Sequence, residues 1–394
     1  EDHLRKRFGA GGSAPLKSSL VEEVARQLND LGDGQNLVID KPEILALIDV
    51  LTLTVELDIR SHYVYGRYRK LERGIPQTKW PCRACKGRGC EKCDYTGLQY
   101  KSSVQGLIGD PLLEIFGSDE HAFHGMGRED IDVRCMGRGR PFVIEMKKPV
   151  KRNIDAEAIL QAINSSADGS VEVSDIRPSN RSEVVRIKDT PAEKSYTIRY
   201  KIEAITESEL DILTQVMEIP ANNQDRNRRR KNQHRRKKPE PEPEVDVDLS
   251  ELKKAELVEL CIEKGLAKSG TKDALIERLS SFEEARLPLP EAEYVMEIMT
   301  NLQGCTLAQR TPERVAHRRA DKIRKRKVLE TSNPSIEIDE DGNMIAEFSL
   351  RCESGTYVKE TVHGDSGRTQ PSIASLIKAK CTVEWLDVAD IHAD

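Results

Sequence analysis

Three observations predict an α+β fold built on a mixed, mostly antiparallel sheet. Runs of strand-like character recur along the chain, and in Ser195–Glu203 polar and apolar residues alternate clearly. Asp339-Glu340-Asp341-Gly342-Asn343 is a strong hairpin signal between two such runs. Helical patterns fall between the strands without a regular βαβ repeat, which argues against a doubly wound parallel sheet.

Residues 1–16 are Gly- and Ala-rich and read as loose, and 17–31 as a short amphipathic helix. The start, Glu1-Asp2-His3-Leu4-Arg5, is neither a signal peptide nor an initiator methionine, so the chain is expected to begin inside a longer protein. From 36 to 72, an expected helix at 42–49 and strand at 53–59 read as a small α/β or α+β unit. Tyr63, Tyr65 and Tyr68 then alternate with Arg67, Arg69 and Lys70, which suits either strand packing or RNA contact. Strands are expected at 141–147, 183–188 and 195–203, with helices at 155–164 and 207–217. The stretch 221–246 loses all periodicity, being Arg/Lys/Asn-rich and then Pro-Glu-repeating, and reads as a flexible tether. Regular structure resumes with a helix at 291–302, strands at 335–338 and 344–352, a helix at 371–379 and a last strand at 382–388.

At 394 residues the chain is too long for one core, so two or three domains are expected. Charged residues make up 33% and aromatics 4%, the balance of a soluble protein with a wet surface. No apolar run is long enough to span a membrane. The net charge of −5 hides segregation: 226–238 holds nine Lys/Arg, 310–327 another nine, and 240–259 is acidic. Such clusters suit a protein that meets nucleic acid locally.

Four of the nine cysteines crowd into 82–93. Cys82-x-x-Cys85 and Cys90-x-x-Cys93 are two knuckles separated by a Gly-containing turn, a spacing that suits a tetrahedral Cys₄ zinc site. An iron–sulfur cluster is the less expected occupant. The other five cysteines read as ordinary buried thiols, which fits a reducing compartment.

Between residues 249 and 279, Leu252, Leu257, Leu260 and Cys261 line one short helix, and Leu275, Ile276 and Leu279 a second. Gly265 is expected to end the first, and Ser269-Gly270-Thr271-Lys272 to cap the second. The segment His124–Arg134, followed by Gly-Arg-Gly-Arg-Pro-Phe at 137–142, sets Asp130 and Asp132 among glycines and arginines. It reads as a polar loop with room for a bulky ligand, and its chemistry suits a carboxylate working on an anionic polymer.

Several of these segments resemble known families. Leu266, Gly270, Thr271, Lys272, Leu275 and Leu279 closely match a SAP domain, a nucleic-acid-binding helix–loop–helix. Gly127-Arg128-Glu129-Asp130 resembles the Gly-Arg-x-Asp signature of pseudouridine synthases, Lys194-Ser195-Tyr196 their Lys-x-Tyr motif, and Gly355-Thr356-Tyr357-Val358-Lys359 their Gly-Thr-Tyr-Ile-Arg motif. With Gln309–Arg319, His363–Ser372 and the cysteine cluster, the chain resembles the archaeal and eukaryotic tRNA pseudouridine synthases of the Pus-ten type, which join a THUMP-containing domain to a catalytic domain. The resemblance covers about 75–394 without 221–283, and more weakly 17–74. The SAP-like insertion is a departure from that family's usual catalytic domain.

The resemblance implies five segments: 1–100, a partial THUMP-like α/β domain bearing the zinc knuckle; 101–220, the first part of the catalytic domain; 221–246, the linker; 247–283, the SAP-like module; and 284–394, the second catalytic part. It implies isomerisation of uridine to pseudouridine in the TΨC arm of tRNA, at positions 54 and/or 55, on a flipped-out base. Asp130 would be the nucleophile, needing a nearby cation in its closed pocket. Lys359 is the expected cation and Arg128 the second candidate. Tyr196 would stack on the uracil and Tyr357 line the pocket, while Arg310, Arg314, Arg318, Arg319 and Arg368 would hold phosphates. Asp132 is expected to serve as a hydrogen-bonding partner of the loop. Arg134, Arg138 and Arg140 are expected to divide between loop anchoring and RNA contact, and His317 and His363 to be structural. Zinc is expected in a structural role, with no organic cofactor. A cytoplasmic monomer binding tRNA, with further nucleic-acid contact through the SAP-like module, completes the picture. The alternative is a non-catalytic RNA-binding or RNA-chaperone protein. A THUMP-linked methyltransferase is disfavoured because no Gly-rich nucleotide loop follows a strand.

Overall fold

The computed structural model describes residues 2–10, 12, 14–31, 38, 40–215, 217, 249, 252–263, 266–282, 284–340 and 342–393. The expected linker 221–246, Gly265 and Asp341 lie outside them. The α+β expectation holds. Its centre is a ten-stranded sheet in which every neighbouring pair but one is antiparallel. No helix among the described residues is long and apolar enough to cross a membrane.

Helices α1 (Asp2–Arg7) and α2 (Leu16–Asp30) precede a two-stranded hairpin, β1 (Ile44–Asp49) and β2 (Thr54–Ile59). Residues 42–49, expected as a helix, therefore contain a strand, paired from Ile44↔Ile59 to Asp49↔Thr54. Helix period and strand alternation cannot be separated in so short an apolar run. The 1–100 segment also does not hold together as one unit. Strand β3 (His62–Lys70) lies inside the large sheet, between β5 (Arg134–Lys147) and β6 (Val171–Ser179).

The first half of the large sheet is β6, β3, β5 and β4 (Glu120–Gly125). Helices α3 (Val104–Phe116) and α4 (Ala156–Ala167) cover it, burying Ile108, Leu112, Phe116, Ile159 and Ile163 against Tyr68, Phe142 and Ile144. Tyr65 and Tyr68 are buried and pack in the strand, while Tyr63 is half-buried. The Gly-Arg-Gly-Arg stretch expected in a loop belongs to β5. Pairing jumps from Tyr68↔Arg140 to Lys70↔Cys135, so 136–139 bulge out of register. Gly137 and Gly139 sit there at positive φ, and a Cβ on either would strike backbone carbonyls of Ala389 and Tyr68.

Residues 183–188, expected as a strand, lie in helix α5 (Arg181–Asp189). Asn180 caps it by accepting from the Glu183 amide, and Val184 and Ile187 face inward one turn apart. The short Val-Val-x-Ile run mimics alternation.

The second half runs β11 (Thr369–Gln370), β8 (Thr306–Arg310), β9 (Ile323–Ile338), β10 (Met344–Cys352), β7 (Glu193–Glu203) and β12 (Lys380–His392). The β9–β10 hairpin forms where expected, with Ile338 opposite Met344. Between β7 and the SAP-like pair lies α6 (Glu207–Thr214). That pair, α7 (Lys254–Glu263) and α8 (Lys272–Ser280), closes on Leu257, Cys261, Leu275 and Leu279, and the Thr271 side chain caps α8. Helix α9 (Ala292–Asn301), the short α10 (Glu313–Ala316), α11 (Val358–His363) and α12 (Ile373–Ile377) complete the second half.

The halves meet at the single parallel contact, β5 beside β12, with Asp387 opposite Arg134. Asp387 is buried there between two arginines, 2.6 Å from Arg134 and 2.6 Å from Arg73. Arg138 pairs with Asp390 at 3.0 Å across the same seam. Arg134 and Arg138 thus tie the halves together, and Arg140 is buried, which gives all three the anchoring share of their expected role.

Candidate active site

The loop 126–133 between β4 and β5 opens onto this seam and is fastened from below by buried polar groups. Arg140 donates to the Met126 carbonyl at 2.7 Å and pairs with Glu129 at 2.8 Å, although its Nε–H is not aligned for a hydrogen bond. Tyr68 Oη donates to the Glu129 carboxylate from 2.8–2.9 Å. Gln77 Nε2 donates to Tyr68 Oη and to the Gly127 carbonyl at 2.9 and 3.0 Å. Lys70, fully buried, donates to the carbonyls of Ile75, Asp130 and Ile131 at 2.9–3.1 Å. Burial pulls its pKa down, partly offset by the Glu129 charge. Gly74 N–H and Arg73 hold the Ile131 and Asp132 carbonyls.

So braced, the loop presents Asp130 to a cavity of about 270 Å³ that also meets Tyr196, Arg314, Tyr357 and Lys359. That is near the ~300 Å³ lower end of small-ligand sites, a nucleoside-scale space. The motifs that carried the resemblance thus converge from the β4–β5 loop, β7, α10 and α11. Tyr196 projects from β7 and Tyr357 caps α11.

The ion pairing differs from expectation. Asp130 pairs with Arg314 Nη1 at 2.7 Å, whereas Lys359 pairs with Asp132 at 2.6 Å. Arg128 lies over the Trp80 ring, 5.3 Å from its centroid. Arg314 gains its place from Glu360, buried in α11, which accepts from its Nε at 2.6 Å. Burial opposes the Arg314 charge, but Glu360 and Asp130 outweigh it and raise its pKa. For Asp132, burial likewise opposes ionisation, yet the Lys359 hydrogen bond and charge leave its carboxyl below the usual value. Arg314 comes from α10 and Lys359 from α11, so each of the two neighbouring acids meets its own cation. Sequence spacing cannot tell which cation meets which acid.

Arg318 and Arg319 stand exposed on the rim, and Arg319 donates to Tyr357 Oη at 3.3 Å. Arg310 and Arg368 do not reach the cavity lining. Arg310 chelates Asp321 through Nε and Nη2, and Arg368 donates to the Thr311 carbonyl. Both anchor the 311–321 segment instead of lining the site. His363 Nδ1 accepts from the Asp365 amide, a structural contact as expected.

Lys194 is a lining residue missing from the sequence-derived set, although its motif was recognised. Burial, and then the Arg140 charge, push its ammonium down to about 8. The buried charge disfavours the folded state fully below pH 8, and this burden lifts as pH rises through 8 towards the ordinary value near ~10.4. Raising the pH through 8 removes one positive charge from the cavity. Affinity for a polyanion is therefore expected to fall with a midpoint near 8, and Lys194→Met should lack that inflection in an anisotropy titration against pH.

The four knuckle cysteines converge. Their sulfurs lie 4.0 Å (Cys82–Cys90), 3.9 Å (Cys85–Cys93) and 3.7 Å (Cys90–Cys93) apart. A tetrahedron with Zn–S bonds of ~2.3 Å has edges of ~3.8 Å, so the donor set suits one tetrahedral metal ion. Amides of Gly89 and Cys90 point at Cys85 and Cys93 sulfurs, as thiolate ligands require.

Comparison with known proteins bears on this arrangement. The family model described as Pus10, C-terminal, matches residues 63–264 and 287–392, and the SAP domain model matches 248–284. A protein named tRNA pseudouridine synthase Pus10 from Methanothrix thermoacetophila is 36% identical over 377 residues, covering 96% of this chain and 63% of its own length. Its namesake from Methanocaldococcus jannaschii is 34% identical, covering 89% of this chain and 57% of its own length. A third, from Methanothermobacter marburgensis, is 34% identical, covering 94% and 72%. The chain thus spans less than two thirds of the first two relatives. With the family match beginning at the central sheet and most of the chain aligned, this chain belongs to the Pus10 family, with a SAP domain inserted between β7 and β8 of the second half of its sheet.

Proposed function

We propose that this chain is a tRNA pseudouridine synthase acting on TΨC-arm uridines at positions 54 and/or 55, with Asp130 as the nucleophile. The observation that carries the reading is the placement of Asp130, Arg314 and Tyr196 around one nucleoside-sized cavity beneath an arginine rim. Isomerisation breaks the N1–C1′ bond and forms C5–C1′, with the C5 proton lost and N1 regaining one. Nothing is oxidised, so a carboxylate attacking or abstracting at the sugar or base suffices. The target nucleotide must leave the RNA stack to enter. Tyr196 would face the uracil, Tyr357 close the rim, and Arg318 and Arg319 meet phosphate. Lys359, paired with Asp132, would reach the same nucleotide from α11. The direct test is pseudouridine formation on unmodified tRNA by wild-type protein. Binding without turnover would select the alternative, a non-catalytic RNA-binding protein.

Zinc is the metal proposed for the Cys₄ site, in a structural role, since all four positions are taken by thiolates and none is left for substrate. Cys82→Ser/Cys85→Ser is expected to abolish stoichiometric metal by elemental analysis and to expose 80–100 to protease. Retention of one metal per chain would overturn the ligand set. The N-terminal helix and hairpin are read as part of a THUMP-like unit, and the protein as a cytoplasmic monomer. The SAP module would add nucleic-acid affinity. Deleting 221–283 should lower tRNA affinity and flatten its salt dependence, and no change in either would give the module another partner.

A further inference from the structure

The Cys₄ knuckle stands beside the cavity and presents a surface that the catalytic reading leaves unused. Residues 79–101 carry six Lys/Arg against Glu91 and Asp94. Lys79 is engaged with Asp110, but Arg83, Lys86, Arg88 and Lys92 are exposed and have no carboxylate partner among the described residues. Arginines such as Arg134, Arg138, Arg177 and Arg199, by contrast, have carboxylate partners. A cluster of unpaired cations in a chain of net charge −5 costs repulsion and is explained by an anionic partner.

Tyr95 adds an aromatic to the cluster. It is 71% exposed and held at φ 59°, a left-handed conformation unfavourable for a bulky residue. The two knuckle loops impose it. Tyr95 N–H donates to the Cys90 carbonyl, and the Tyr95 carbonyl lies so close to Gly89 that a Cβ there would approach it to 2.8 Å. Gly97 similarly abuts Gly87, where a Cβ would come within 2.4 Å of the Gly87 carbonyl. Close packing of 86–89 on 95–97 thus sets Tyr95 next to the stretch bearing Lys86 and Arg88. An exposed ring among free cations is a stacking platform with a phosphate track, a combination suited to unpaired nucleotides.

The base of the knuckle touches the cavity lining. Trp80 enters the knuckle, with Gln99 N–H bonded to its carbonyl and Tyr100 edge-on at 5.6 Å. Arg128, on the cavity lining, lies over the same Trp80 ring. Arg128 and Trp80 thus link the cavity lining to the chain that enters the knuckle. We propose that the knuckle is an RNA-docking surface, in which Tyr95, Arg83, Lys86, Arg88 and Lys92 hold the substrate strand flanking the flipped nucleotide. The metal's part is to hold this surface in shape.

This rests on RNA being the substrate, and the test separates the two readings. Arg83→Ala/Lys86→Ala/Arg88→Ala/Lys92→Ala and Tyr95→Ala leave all four cysteines in place, so metal content and thermal unfolding report whether the knuckle remains folded. With metal retained, the quadruple variant should bind unmodified tRNA with a slope of log affinity against log salt shallower by about 3, and Tyr95→Ala should lose about tenfold in affinity. Arg83→Lys/Arg88→Lys keeps the charge and should keep the slope. Wild-type affinity and slope in the folded quadruple variant would overturn the docking surface, even with pseudouridine formed. Knuckle-dependent binding by a wild-type protein that forms no pseudouridine would sustain the docking surface and overturn the catalytic reading.

Discussion

Asp130→Asn should abolish pseudouridine formation while tRNA remains bound, a loss of ~10⁴-fold or more as for other removed nucleophiles. The substitution is close to isosteric, and an amide oxygen can still accept from Arg314 Nη1, so the loop and its bracing should persist. Turnover on unmodified tRNA, followed by release of pseudouridine after digestion, reads the effect. Asp132→Asn is the comparison: it frees Lys359 but leaves the Asp130–Arg314 pair, and its cost should be much smaller. Equal turnover by Asp130→Asn and wild type would remove Asp130 from the nucleophile's role.

Glu129→Ala should cost about 3–5 kcal/mol of stability, because it strands a charged guanidinium in the interior. Glu129 and Arg140 side chains are 0% and 1% exposed, and Arg140 cannot shed its proton. Urea denaturation measures the loss. Removing both charges, as in Glu129→Gln/Arg140→Met, should recover much of it, since an ion pair replaced as a unit leaves no stranded charge. A single-mutant cost near that of a surface substitution would mean that water reaches the pair. The same pair links stability to chemistry, because Arg140 also holds the Met126 carbonyl at the root of the loop bearing Asp130.

Local pattern sufficed where an element owes its form to its own residues. The β9–β10 hairpin, the alternating strand β7 and the Thr271-capped helix α8 of the SAP module needed only turn chemistry, period and caps. The four cysteines were legible for the same reason, since ligand spacing within 82–93 is a local constraint. Short runs failed. Glu183–Lys188 reads as a strand, but the Asn180 cap and one buried face make it helix, and 42–49 errs in the opposite sense. Helix α3 escaped notice because Gly106, Gly109 and Pro111 dilute its pattern, although Ser103 caps it and Leu112 and Phe116 bury deeply.

For the site, motifs identified Asp130, Tyr196, Tyr357 and Lys359 as one constellation, and their common cavity follows from tertiary folding. What sequence alone determined was the set of chemical groups, because carboxylate, tyrosines and cysteines are specified by residue type and short spacing. The tertiary structure decided the partnerships: Arg314, not Lys359, meets Asp130; Lys359 goes to Asp132; and Tyr68 and Lys70, from a strand expected in another domain, brace the loop together with Gln77 from the segment after it. Ion pairs and buried hydrogen bonds join groups far apart in sequence, and their choice depends on distances of a few ångströms that only the packed sheet establishes.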